Sequence, residues 1–157
     1  MAFDNVVFTK SASSADCGAA CMVSLLKYYG IETTLEDMTK ECRVTVNGCN
    51  GRNLMETAKA HGLKMYGWKE LAPDEVPKPD SIVIDVPVAQ EDRPSIVWWK
   101  YNHFLICCGM TDDGRVLLVN PARGKYTVSK KLFNSYYSGV SFTIGIPELA
   151  TAEPADK

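Results

Sequence analysis

The hydrophobic period of this chain changes once, and the order of that change limits what the chain can fold into. Apolar residues recur at helical spacing through most of residues 16–61. Beyond residue 63 they gather in short alternating or continuous runs bounded by turn residues. Helices first and sheet second describe an α+β chain, because a parallel sheet would need strands and helices in alternation. The predicted helices cover about 16–29, 34–41, 52–61 and 129–136, and the predicted strands about 63–68, 81–86, 103–109, 115–119, 125–128 and 140–145. Ala72 to Pro79 carries three prolines and reads as the link between a helical half and an antiparallel sheet half. With 157 residues, 46% of them apolar, the chain is long enough for one core and too short for two. Pro147 to Lys157, rich in Ala, Glu and Pro without periodicity, reads as a flexible tail or a linker to a following domain.

The first long helix opens on a thiol. In Asp16-Cys17-Gly18-Ala19-Ala20-Cys21 a Ser-rich segment gives way to helix, and Cys17, Ala20, Cys21, Ser24, Leu25 and Tyr28 share one helical face that stops at Gly30. A thiol in the first turn sits among unpaired backbone N–H groups at the positive end of the helix dipole, which favours thiolate. The small residues that follow let another backbone approach closely. The plain alternative is that Cys17 is a small buried apolar residue, as most free cysteines are.

A nucleophilic cysteine needs a base, and the chain has two histidines. His61 precedes Gly62 at the end of a helix, where an imidazole meeting the dipole is an ordinary structural feature. His103 instead opens the buried-strand run His103-Phe104-Leu105-Ile106-Cys107-Cys108, and Thr111-Asp112-Asp113-Gly114 turns into the strand Arg115 to Val119. A turn centred on Asp112 and Asp113 sets residue 120 opposite residue 105, so Asn120 shares a face with His103 and reaches it. A one-residue change of register would put the two on opposite faces.

Cys17, His103 and Asn120 form a chemically complete set. The imidazole takes the thiol proton and later protonates a leaving amine, while Asn120 orients the ring. A cysteine at a helix start, with histidine and asparagine on a distant sheet, is the papain-like arrangement. Substrate is then expected in the cleft between the two halves. Trp98, Trp99 and Tyr101, just ahead of His103, either line that cleft as substrate-binding residues or close the core at the start of a strand.

These segments carry a family resemblance. Asp16-Cys17-Gly18-Ala19-Ala20-Cys21 with Leu26-Lys27-Tyr28-Tyr29-Gly30 resembles the start of the double-glycine leader peptidases, bacteriocin-processing cysteine peptidases found at the N-terminus of peptide-exporting ABC transporters. Gly48 to Leu63 is similar to that family's second helical region, Asn102-His103-Phe104 to its histidine strand, and Asn120-Pro121-Ala122-Arg123-Gly124 to its Asp-Pro-x-x-Gly segment. Ser129 to Gly139, ahead of Val140-Ser141-Phe142, looks like its closing helix and strand. The resemblance implies a papain-like leader-peptidase domain over residues 1–146 that cuts a ribosomally made precursor peptide after a Gly-Gly or Gly-Ala pair. It also implies the membrane and ATPase parts of an exporter as partners. The chain departs from the family twice. Asn120 stands where Asp is usual, a change that keeps the orienting role. Ser11 stands where a glutamine normally donates to the oxyanion, which leaves the backbone N–H of Cys17 as the main expected donor. The rival reading that Ser11 favours is a leader-binding module with weak or lost catalysis. A papain-like acyl-transfer enzyme such as a deamidase would use the same residues.

Other classes are disfavoured. A formal charge of −2 and a pI near 5.7 give no nucleic-acid surface. Six cysteines without a secretory leader point to reduced thiols and a cytoplasmic location, free-standing or at the cytoplasmic face of a membrane as part of a transporter. Cys42 with Cys49, and the adjacent Cys107 and Cys108, lack zinc-site spacing, so no metal is expected. No cofactor is expected either, since the chain has no G-x-x-x-x-G-K-[ST] segment for ATP. The longest apolar run, Phe104 to Met110, is far too short to span a bilayer.

Overall fold

The structure is a computed structural model that describes residues 2–69 and 94–145. The expected strand at 81–86, the link at 72–79 and the tail at 147–157 lie outside the described residues. A short helix α1 (Ala2–Asn5) precedes α2 (Cys17–Tyr28), α3 (Leu35–Glu41) and α4 (Gly51–Ala60). The sheet follows as β1 (Met65–Lys69), β2 (Ser95–Trp99), β3 (His103–Met110), β4 (Arg115–Asn120) and β5 (Gly124–Ser129), then α5 (Lys130–Tyr136) and β6 (Tyr137–Ile144). All six strands pair antiparallel in the order β1-β6-β2-β3-β4-β5. This is the helical half packed on an antiparallel sheet that the hydrophobic period predicts.

The sequence reading missed α1 and β2. The run Ser95-Ile-Val-Trp-Trp99, whose tryptophans the sequence assigns either to the cleft or to closing the core at the start of a strand, is itself a strand paired with β3 through Trp99–His103 and Ser95–Cys107. The single amphipathic face drawn for α2 is also too narrow. Cys17 to Met22 are all buried, as are Ser24, Leu25 and Leu26, because α2 packs against α3, α4 and β3 together. A helix surrounded in this way is apolar most of the way round.

The two faces of the sheet have separate cores. Met22, Leu25, Leu26 and Leu54 meet Phe104, Ile106, Leu117, Val119 and Phe142 on the helical side. Val97, Trp99, Leu105, Leu118 and Val128 gather under Phe133 of α5 on the other. Alternation along β3 therefore sends Phe104 to one core and Leu105 to the other. Gly51 permits α4 to seat on β6, since a Cβ there would lie 2.4 Å from the Phe142 ring.

The starts of α3, α4 and α5 are capped by side chains, and that of α2 is not. Thr34 accepts from the Asp37 amide at 3.1 Å, Asn50 from Asn53 at 2.9 Å, and Ser129 from Leu132 at 3.1 Å. Asp16, ahead of α2, makes no such bond. Its buried carboxylate turns back instead to accept the amides of Ala12 at 3.1 Å and Ser13 at 3.0 Å, tying down the loop before the helix. The amino end of α2 is thus left without a side-chain cap at Cys17.

Candidate active site

Cys17 is the first residue of α2, and Gly18 behind it lets the helix come close to β3. A Cβ at Gly18 would lie 2.8 Å from the Cys49 sulfur and 3.2 Å from the Phe104 ring. With no side chain there, Cys17 Sγ reaches the sheet and accepts the backbone N–H of Phe104 at 3.3 Å. Phe104 follows His103 in β3, so the thiol is tied to the same end of the strand that carries His103.

His103 Nε2 lies 2.8 Å from Asn120 Oδ1. The surroundings of Asn120 fix which proton is where. Its Oδ1 also accepts the backbone N–H of Ala122 at 2.9 Å, and its Nδ2 donates to the Tyr126 hydroxyl at 2.9 Å. A backbone amide only donates, so the atom facing both Ala122 and His103 is the oxygen, and His103 must carry its proton on Nε2. Nδ1 of the neutral ring is left as an acceptor. Tyr126, which sequence reasoning did not single out, holds this arrangement. Its signal was present in the short β4–β5 hairpin, where Asn120 pairs with Gly124 and Tyr126 follows two residues on, along the same face.

The register that brings Asn120 to His103 arises differently from the expected one. Near the turn, Met110 pairs with Val116, which if continued would set Asn120 against Ile106 and on the face opposite His103. A register shift between Cys107 and Met110 adds one residue to β3, with Gly109 at φ +104°. Beyond the bulge Ile106 pairs with Val119, and the next step sets Asn120 against Leu105. The bulge supplies the parity.

Electrostatics correct the expected thiolate. Burial pushes the Cys17 thiol above its ordinary value, outweighing the opposite pull of the amides of Phe104, Gly18 and Cys17 itself, while nearby Asp16 adds to the rise. Burial likewise holds His103 below its ordinary value, against the hydrogen bond to Asn120. The two shifts favour a neutral thiol and a neutral imidazole at rest. Iodoacetamide labelling of Cys17, followed by peptide mapping, is therefore expected to accelerate about tenfold per pH unit up to about pH 9. A flat profile below that range would show a preformed thiolate and imidazolium. Burial also raises Cys21 and Cys49, the latter to about 12. Their contribution to stability is complete below about pH 9 and is lost as the pH rises toward those folded values, which a thermal-melt series under reducing conditions reads directly. All six cysteines are free thiols.

The other expected site residues separate. Ser11 is half-buried, and its hydroxyl donates to the Pro121 carbonyl at 3.4 Å while its amide donates to the same oxygen at 3.0 Å. It ties the segment before α2 to the loop after Asn120. Trp98 packs on Phe104 at 4.6 Å on the helical side of the sheet. Trp99 is buried against Phe133 and Tyr136, and it also lines a cleft of about 530 Å³ that includes His103 and Asn120. Tyr101 stands 73% exposed at the tip of the β2–β3 turn. Lys100 and Tyr101 in that turn have φ of +53° and +58°, a left-handed pair that Asn-Gly would ordinarily supply. Such positions cost about 1–3 kcal/mol each and persist where surrounding bonds over-determine them. Here the Lys100 amide donates to the Tyr136 carbonyl and the Tyr101 amide to the Ser138 hydroxyl, both at 2.8 Å.

A larger hollow of about 890 Å³ lies between α4 and the β1–β6 edge, lined by Met55, Leu63, Val140 and Phe142 among others. No thiol or imidazole borders it, whereas His103 and Asn120 border the smaller cleft. Among the described residues no cluster of His, Cys, Asp or Glu is arranged to hold a metal ion, and no helix is long and apolar enough to cross a membrane.

Comparison with known proteins agrees with this fold. A family model described as the peptidase C39 family matches residues 5–145. The lactococcin-G-processing and transport ATP-binding protein LagD of Lactococcus lactis is 26% identical over 125 residues, which make up 80% of this chain. The chain spans 17% of LagD's length. Among solved structures, a double-glycine motif protease from an AMS/PCAT transporter, determined in complex with the leader peptide, superposes with a TM-score of 0.72 at 24% identity, covering 88% of this chain and 90% of that one. The peptidase domain of Streptococcus ComA, a bifunctional ABC transporter of a quorum-sensing pathway, gives 0.73 at 18% identity, covering 89% and 98%.

Proposed function

The chain belongs to the peptidase C39 family, and from that membership we propose that it is a cysteine endopeptidase that removes the leader from a ribosomally made precursor by cutting after a double-glycine type pair. The observation that carries the reading is the His103 Nε2 to Asn120 Oδ1 bond at 2.8 Å, which leaves Nδ1 as a base at the strand end where Cys17 Sγ is anchored. In this mechanism the Cys17 proton passes to His103 Nδ1 as the thiolate attacks the scissile carbonyl. The N–H at the uncapped start of α2 meets the oxyanion, and the imidazolium returns its proton to the departing amine. Water, deprotonated by His103, then releases the leader from the thioester. Glycines suit such a cleft because side chains before the scissile bond would not enter it. The partners in this reading are the precursor peptide and, when the domain is part of an exporter, that exporter's membrane and ATPase parts at the cytoplasmic face.

One observation favours a second reading, a leader-binding module with weak catalysis: the Ser11 hydroxyl is engaged with Pro121 rather than with Cys17. Single-turnover cleavage of a synthetic leader peptide ending in Gly-Gly, followed by mass spectrometry, separates the two. The parent protein is expected to cut slowly after the pair. Ser11→Gln is expected to raise turnover by roughly 10² to 10³ with little change in affinity, the value of one preorganised oxyanion donor. Binding of the leader by both proteins without cleavage would establish the binding module instead.

A further inference from the structure

The cleft beside His103 is electrostatically one-sided. Lys100 and Arg123 border it, and among the described residues no carboxylate does, in a chain whose formal charge is −2. Neither cation has an acidic partner among the described residues. Each is seated on an aromatic ring instead, Lys100 Nζ at 4.1 Å from the centre of Tyr136 and Arg123 Cζ at 4.5 Å from that of Tyr126. A ring face fixes a cation in place without neutralising it. Lys100 is further fixed by the strained, hydrogen-bonded turn, which a glycine would occupy more easily, and Arg123 by the loop that presents Asn120.

The direction of the chemistry says which part of a substrate meets these charges. His103 gives its proton to the leaving amine, so the chain segment that leaves lies on the His103 side of the scissile bond, and this cleft is that side. We infer that the enzyme selects precursors with an acidic side chain within the first few residues after the scissile bond, held by Lys100 and Arg123. The inference rests on the peptidase reading above and adds a preference for the mature peptide to one for the leader.

The test uses synthetic precursors with a common leader ending in Gly-Gly, followed by Glu, Gln or Lys at each of the next three positions. The expected kcat/KM is roughly 3- to 10-fold higher for Glu than for Gln at the preferred position, shrinking in high salt as screening requires. Lys100→Gln and Arg123→Gln are each expected to bring that ratio toward one. Lys100→Glu is expected to reverse it and to cut the Lys peptide faster than the parent does, a gain that misfolding cannot produce. Equal rates for Glu and Gln peptides at all three positions, or a ratio unmoved by these variants, would overturn the inference while leaving the peptidase reading standing. Failure of the parent to cut any of the peptides would remove both.

Discussion

Cys17→Ala is expected to abolish cleavage, lowering turnover by on the order of 10⁵- to 10⁶-fold, because removal of a nucleophile leaves only binding and the oxyanion N–H to act. The substitution also has a structural signature. Cys17 Sγ is the acceptor for the buried Phe104 amide, so alanine strands that N–H and is expected to cost about 1–3 kcal/mol of stability. Cys17→Ser keeps an acceptor in place but is a far poorer nucleophile. Both variants should therefore be inactive, with the thermal midpoint lowered mainly in the alanine protein. Cleavage that survives in Cys17→Ala would dispose of the proposed mechanism.

The second large effect falls on the pair of His103 and Asn120. His103→Ala is expected to lower single-turnover cleavage by about 10⁴-fold or more, since it removes both the base that ionises a thiol held above its ordinary pKa and the acid that serves the leaving amine. Asn120→Ala should cost less, roughly 10² to 10³, by freeing the ring and its tautomer. Asn120→Asp should keep most of the activity. One carboxylate oxygen still accepts from His103 and Ala122, and the Tyr126 hydroxyl, which now accepts from Nδ2, can rotate to donate to the other. Parent-like cleavage by Asn120→Ala would show that another group orients His103.

The sequence made the architecture, the thiol at the start of α2 and the contact between His103 and Asn120 legible for physical reasons that differ from one another. Period and order gave helices before sheet, because each helix and strand packs a distinct repeat against the core. Cys17 was visible because a Ser-rich segment gives way to a helix at a thiol followed by a run of small residues. The contact between His103 and Asn120 was inferred with the right pairing through an incomplete reason. A turn centred on Asp112 and Asp113 leads to that pairing, whereas the hairpin reaches it through a bulge near Gly109 that no local pattern announces. The ionisation of Cys17 was not legible. The helix start favours thiolate, but burial by β3 and the neighbouring helices outweighs it, and burial is a property of the assembled fold. Strand β2 was obscured because Trp98 and Trp99 invite a binding interpretation, although alternation sends them to opposite cores.

The position of β6 governs when this domain comes into being during synthesis. Strands β2 to β5 form a continuous meander whose neighbours in space are neighbours in the chain, and they can pair as they leave the ribosome. Strand β1 cannot join them, because residues 137–144 of β6 hydrogen-bond β1 on one side and β2 on the other. Until that segment emerges, the nascent chain exposes two open strand edges in what becomes the interior of the sheet, the kind of edge that recruits foreign strands. Among the described residues the last strand to be made is therefore the one that joins the two parts, and a ribosome that stalls before residue 137 holds a meander and a helical layer that have no shared sheet.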